Sequence, residues 1–145
     1  MSRAASPTTT SEVFRVLVAD DHALMRQILG AILESYPNLS IIGEDTNGME
    51  AVYLARALNP DGIIMDINMP QIDGIEATKQ IKAAQPRIRV LGLSVINNEH
   101  VTEAMKVAGA EAVLVKDDLK ELHDAMRRWS TPELLKSPSR NADSW

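Results

Sequence analysis

From Val13 onward the chain alternates between two hydrophobic patterns. The first is a short apolar run, Val13-Phe14-Arg15-Val16-Leu17-Val18-Ala19, which stops at Asp20-Asp21. A near-continuous apolar run of this length predicts a strand covered on both faces. The second pattern has helical spacing. Leu24, Ile28 and Ile32 recur with Met25, Leu29 and Leu33 beside them, and Pro37 ends the segment. The two patterns then repeat. Leu39 to Gly43 is strand-like, and Asn47 to Leu58 is helical, with Ala51, Leu54, Ala55 and Leu58 on one face and Pro60 after it. Gly62-Ile63-Ile64-Met65 runs into Asp66, and a helix from Asp73 to Ala84 is closed by Pro86. Ile88 to Leu93 runs into Ser94, and a helix from Asn98 to Ala108 ends at Gly109. Ala112 to Val115 runs into Lys116, and a last helix presents Leu119, Leu122, Met126 and Trp129.

Five strands alternating with five helices imply an α/β fold: a doubly wound parallel sheet with helices on both faces. Right-handed crossovers leave few topologies, and the flavodoxin-like order 2-1-3-4-5 is the expected (βα)5 arrangement. Residues 1–12, rich in Ser, Thr and Pro, read as a disordered tail. Residues 13–129 form the expected domain, and residues 130–145 read as a C-terminal tail or linker remnant.

Composition narrows the chemistry. The 145 residues fit one domain with short tails. Aromatics make up only 3%, so the core must be aliphatic. Cysteine is absent, which removes disulfides, thiolate metal sites and cysteine nucleophiles. The formal charge of −5 argues against direct nucleic-acid binding and suits a site that needs cations. No signal peptide and no membrane-spanning apolar run occur, so the expected compartment is the cytoplasm, with no membrane contact.

In an open parallel sheet, ligands bind at the carboxyl ends of the strands near the reversal of strand order. Four strands end in chemistry there: Asp20-Asp21, Asp66, Ser94 and Lys116. Each has an ordinary structural use when taken singly. Asp20-Asp21 could cap a helix, Asp66 a turn, Ser94 could satisfy loop backbone, and Lys116 could be a solvated charge. Together they make one cluster of three carboxylates, a hydroxyl and an ammonium. Three carboxylates at close range repel unless a cation joins them, and an oxygen-only donor set points to Mg²⁺ or Mn²⁺.

The chain resembles the receiver domain of bacterial two-component response regulators. The matching segments are Val16 to His22, Asn47-Gly48-Met49-Glu50-Ala51, Ile64 to Pro70 with Asp73-Gly74, Ser94, Gly109-Ala110 and Lys116. Asp20-Asp21-His22 and Lys116-Asp117 are most similar to receivers whose output is a helix-turn-helix, LuxR-type DNA-binding domain. The resemblance implies that Asp66 accepts a phosphoryl group from a sensor histidine kinase or histidine phosphotransfer protein. It implies that Asp21 binds Mg²⁺ directly, Asp20 through water, and that Asp66 and the backbone carbonyl of Asn68 complete the protein ligands. Ser94 would hydrogen-bond a phosphoryl oxygen, and Lys116 would pair with Asp66 or the phosphoryl group. A homodimer is among the partners it allows. Such a chain is a phosphoacceptor regulator rather than an enzyme acting on other substrates.

Three positions depart from the family pattern. Val113 stands where many receivers carry a switch aromatic, Asp117 where many have proline, and Ser94 where threonine is common. An aspartyl phosphohydrolase would want D-x-D after the first strand, and the chain has Asp20-Asp21 there. Neither G-x-x-x-x-G-K nor G-x-G-x-x-G occurs. His22, His100 and His123 lack ligand spacing and read as surface residues, with His22 near the acids. Trp129 is expected to pack against the domain. The chain is read either as a stand-alone receiver or as one cut from a longer regulator.

Overall fold

A computed structural model describes residues 13–131, and the expected tails at 1–12 and from 132 onward lie outside them. The elements are β1 (Phe14–Ala19), α1 (Ala23–Glu34), β2 (Leu39–Asp45), α2 (Gly48–Leu58), β3 (Gly62–Asp66), α3 (Gly74–Ala84), β4 (Arg89–Ser94), α4 (Glu99–Ala108), β5 (Ala112–Val115) and α5 (Leu119–Trp129). The strands form one parallel sheet in the order β2-β1-β3-β4-β5, the flavodoxin-like arrangement expected from the sequence. No helix among the described residues is long and apolar enough to cross a membrane.

Successive strand side chains point to opposite faces, so each central strand feeds two cores. Val16, Val18, Ile64, Leu91 and Leu93 face α1 and α5. Leu17, Ala19, Ile63, Met65 and Val90 face α2, α3 and α4. This explains why the strands read as unbroken apolar runs. The helical stripes are narrower than their apolar residues implied. α1 buries Met25, Leu29, Ile32 and Leu33 but leaves Leu24 exposed, and α5 buries Leu122, Met126 and Trp129 but leaves Leu119 exposed. A helix turns 3.6 residues at a time, so both residues lie in the first turn beyond the edge of the sheet-facing stripe.

Helix starts are set by polar caps. The side chains of Asn47, Asp73, Asn98 and Asp118 each accept the backbone N–H three residues on. α1 differs: His22 occupies its N-cap position and its side chain makes no capping bond. At the opposite pole Trp129 locks α5 down. Its ring lies 5.0 Å from that of Phe14, its Nε1 donates to Glu111 Oε2 at 3.2 Å, and Arg89 sits 5.6 Å from the ring centroid while holding Glu111 through two bonds. Gly62 lies directly under the indole, where a Cβ would collide with it.

β2 runs two residues beyond its expected end, because it pairs with β1 as far as Ala19 opposite Asp45. This carries Asp45 into the interior, 3% exposed, with neither carboxylate oxygen hydrogen-bonded. Burial, then repulsion from Glu50, raises its pKa from 3.8 to about 7, with Arg26 opposing. The folded protein therefore holds a proton on Asp45 that the unfolded chain has released. Stability must fall as pH rises from about 4 to about 7, and the full penalty persists above that window. Asp45→Asn removes the charge and keeps the shape. Its stability relative to wild type should rise between pH 5 and pH 8 by roughly 1–3 kcal/mol in denaturant unfolding. A difference that does not change with pH would refute the assignment.

Candidate functional site

Strand register builds the site. Ala19 lies opposite Met65, so the next residue of β1, Asp20, stands beside Asp66. Asp66 lies opposite Leu93, which brings Ser94 to its other side, and Ser94 lies opposite Val115, one residue before Lys116. The four strand ends predicted to carry chemistry therefore converge at the carboxyl edge of the sheet. Gly74 lets the start of α3 close over this edge. Its N–H donates to Ile67 O at 2.7 Å, and a Cβ there would strike the Asp66 carbonyl.

Asp66 is buried at the centre. Its Oδ1 accepts the N–H of Asn68 at 3.2 Å, and its Oδ2 faces the Lys116 ammonium at 3.3 Å. Lys116 lies closer still to Asp20 Oδ2, at 2.9 Å, so one ammonium serves two acids. Asp20 is itself tightly held. Its N–H donates to the Asp45 carbonyl, its carbonyl accepts from Arg26 at 2.7 Å, and its Oδ1 accepts the His22 N–H at 2.8 Å. Asp21 sits on the solvent side. Ser94 is buried, and its hydroxyl donates to the carbonyl of Ile96 at 2.7 Å rather than to Asp66. Val113 is half-buried and packs on the α4 side of the sheet. The described residues contain no cis peptide bond, so the Lys116-Asp117 link is trans.

Burial raises the Asp66 pKa from 3.8 to about 6, and the neighbouring Asp20 adds to it. Lys116 and the Asn68 N–H pull the other way. A carboxyl with this pKa is mostly ionised at pH 7, which a nucleophile requires. The acids also suit a cation. Asp20, Asp21, His22 and Asp66 each offer a ligand atom, and these atoms lie within 4.8 Å of one another. Oδ2 of Asp20 and Oδ2 of Asp66 are buried, and each is ion-paired to the single Lys116 ammonium, at 2.9 and 3.3 Å.

His22 is exposed and lies beside the acids, as read from the sequence. Its Nδ1 lies 3.0 Å from Asp20 Oδ1, 3.3 Å from Asp21 Oδ1 and 2.9 Å from Lys116 Nζ. Its place directly after the acidic pair was the available signal. His123 instead lies beside the Tyr36 ring, far along the fold on α5.

Comparisons with known proteins agree with this fold. The response regulator receiver domain family matches residues 16–127. The transcriptional regulatory protein LiaR of Bacillus subtilis is 41% identical over 123 residues, covering 83% of this chain and 58% of LiaR. Protein-glutamate methylesterase/protein-glutamine glutaminase 3 of Anaeromyxobacter dehalogenans is 41% identical over 138 residues, covering 87% of this chain but 40% of that enzyme. The chain thus spans about half the length of these curated relatives. A two-component response regulator of the LuxR family from Aurantimonas superposes with a TM-score of 0.76 at 25% identity, covering 90% of this chain and 98% of that one. With the match running through both cores and every strand end of the acidic cluster, the chain belongs to the response regulator receiver domain family, and its similarities include LuxR-type regulators.

Proposed function

We propose that this chain, 13–129 of it forming the receiver, is a phosphoaccepting switch of a two-component phosphorelay, and that Asp66 takes the phosphoryl group from a sensor histidine kinase or a histidine phosphotransfer protein. The observation that carries this reading is the setting of Asp66: a buried carboxylate at the centre of the strand ends, with Oδ2 paired to the Lys116 ammonium at 3.3 Å. An Asp66 oxygen attacks phosphorus, an O–P bond forms, the N–P bond to the donor imidazole breaks, and an acyl phosphate results. Lys116 stabilises charge on the transferred group and stays fixed by Asp20. Asp20, Asp21, Asp66 and the backbone carbonyl of Asn68 would hold Mg²⁺ or Mn²⁺, which when bound neutralises phosphoryl oxygens.

The switch follows from Ser94. A phosphoryl oxygen on Asp66 is a charged acceptor, stronger than the neutral carbonyl of Ile96 that now receives the Ser94 hydroxyl. Transfer of that bond frees the segment Val95-Ile96, both exposed, which leads into α4. Val113 has no ring to rotate and is stiff at Cβ, so it serves as constant packing. The signal therefore travels through the Ser94 loop and α4 and alters partner binding there. Regulation of transcription, the role in LiaR's name, is the output we assign to the protein that carries this receiver, in the cytoplasm. A second copy of the chain is an allowed partner. Direct contact with nucleic acid by this acidic chain and chemistry on other substrates are not part of the assignment.

Asp66→Asn should abolish acid-labile phosphorylation by acetyl phosphate, read by intact mass. Labelling at the wild-type rate would move the acceptor elsewhere. Amide hydrogen exchange over residues 94–108, with and without a phosphoryl mimic, should respond in wild type and in Val113→Ala. The latter should lose only about 1 kcal/mol of stability from its half-buried methyls. Ser94→Ala should accept phosphate yet show a blunted response. A full response in Ser94→Ala, or none in a folded Val113→Ala, would break the proposed route.

A further inference from the structure

The grip of α4 on the sheet rests largely on one side chain. Along that helix only Met105 and Ala108 are buried, and Met105 is the large one. It lies over Gly92 of β4, where an added Cβ would stand 3.1 Å from its Cγ, 3.2 Å from its Cε and 3.3 Å from Val113 Cγ2. The thioether and Val113 thus share the space above a residue that has no side chain. On the other side stands Thr78 of α3, a buried hydroxyl whose one hydrogen bond among the described residues goes to Met105 Sδ, at 3.8 Å. A thioether is a weak acceptor, so this bond restrains Met105 little.

Gly92 and Ser94 lie on the same face of β4, because side chains alternate along a strand. The Ser94 loop runs into the start of α4, and Met105 sits about 9 Å further along that helix. A helix moves as a rod, so a displacement that begins at Ser94 reaches the core through Met105. Methionine turns about three side-chain bonds and repacks readily, whereas Val113 is stiff. We propose that Met105 is the internal switch residue of this receiver: its thioether changes rotamer over Gly92 when the Ser94 hydroxyl turns from the Ile96 carbonyl to the phosphoryl group. This repacking lets α4 shift without opening a cavity. Position 113 then needs no aromatic ring, because the movable side chain comes from α4 instead. The inference deepens the Ser94 route above and rests on it.

The test uses the whole chain with its seven methionines labelled at the ε-methyl carbon for NMR, and beryllofluoride with Mg²⁺ as the phosphoryl mimic. Met105→Leu identifies the Met105 signal, whose carbon shift follows the rotamer of the last torsion. In wild type the Met105 signal should shift when the mimic is added, and Ser94→Ala should lose most of that shift. Gly92→Ala should move the signal before the mimic is added, because the new Cβ crowds the thioether. It should still gain the mass of a phosphoryl group from acetyl phosphate, while its amide exchange over residues 94–108 responds less to the mimic. If amide exchange over 94–108 responds in wild type while the Met105 signal stays in place, or if Gly92→Ala responds as wild type does, the Met105 proposal falls and the Ser94 route survives. If the chain takes phosphate but neither readout responds, the Ser94 route falls as well. A chain that takes no phosphate overturns the assignment on which both rest.

Discussion

Asp20, Asp21 and Asp66 bring three carboxyl groups within a few ångströms of one another, and two of the three are buried. One ammonium, Lys116, stands against them. Burial first, and repulsion from Asp20 second, oppose ionisation of Asp66 and raise its pKa. The fold holds this imbalance in place rather than relieving it. Backbone and side-chain bonds from Asp45, Arg26, His22 and Asn68 fix the acids individually, and none of the side-chain ones satisfies the inner oxygens. A site so arranged could hold a divalent cation among Asp20, Asp21 and Asp66.

The parallel sheet makes the arrangement possible. Two-sided apolar packing fixes the register of β1, β3, β4 and β5, since a slip of one residue would swap the two cores. Register then determines that Asp66 has Asp20 on one flank and Ser94 on the other. Gly74 allows α3 to cover the edge closely, and the Trp129, Phe14 and Arg89 stack secures α5 at the far pole, away from the chemistry. Stability and chemistry thus occupy opposite ends of the strands. At the chemical end the Ser94 hydroxyl donates to the Ile96 carbonyl, and the Ser94 carbonyl accepts the Lys116 N–H.

Much of this was legible in the residue order. Apolar runs broken by helical spacing gave the five βα units, because strands buried on both faces and helices buried on one leave different periods. Asp20, Asp66, Ser94 and Lys116 were legible because each directly ends such a run, and the topology then dictates that they meet. Other features depend on where side chains turn, which spacing does not encode. Leu24 and Leu119 carry apolar side chains at positions the helix phase leaves outside. Asp45 reads as a polar strand end, yet two more residues of pairing with β1 pull it under cover. His22 reads as an exposed residue, and it is one by area, but its nitrogen points into the acids because it declines the cap its position offers.

The central claim is that the folded state sets three carboxyl groups against one ammonium, a surplus of negative charge that a divalent cation would complete. The most direct measurement is the unfolding temperature of the chain as free Mg²⁺ rises at constant ionic strength. A ligand that binds only the folded state at a hundredfold excess over its Kd stabilises by about 2.7 kcal/mol, which raises Tm by about 10 °C in a domain of this size. The account predicts a saturable rise of that order in wild type and its loss in Asp21→Ala. A Tm that does not change with Mg²⁺ in wild type, or one that rises equally in both proteins, would contradict it.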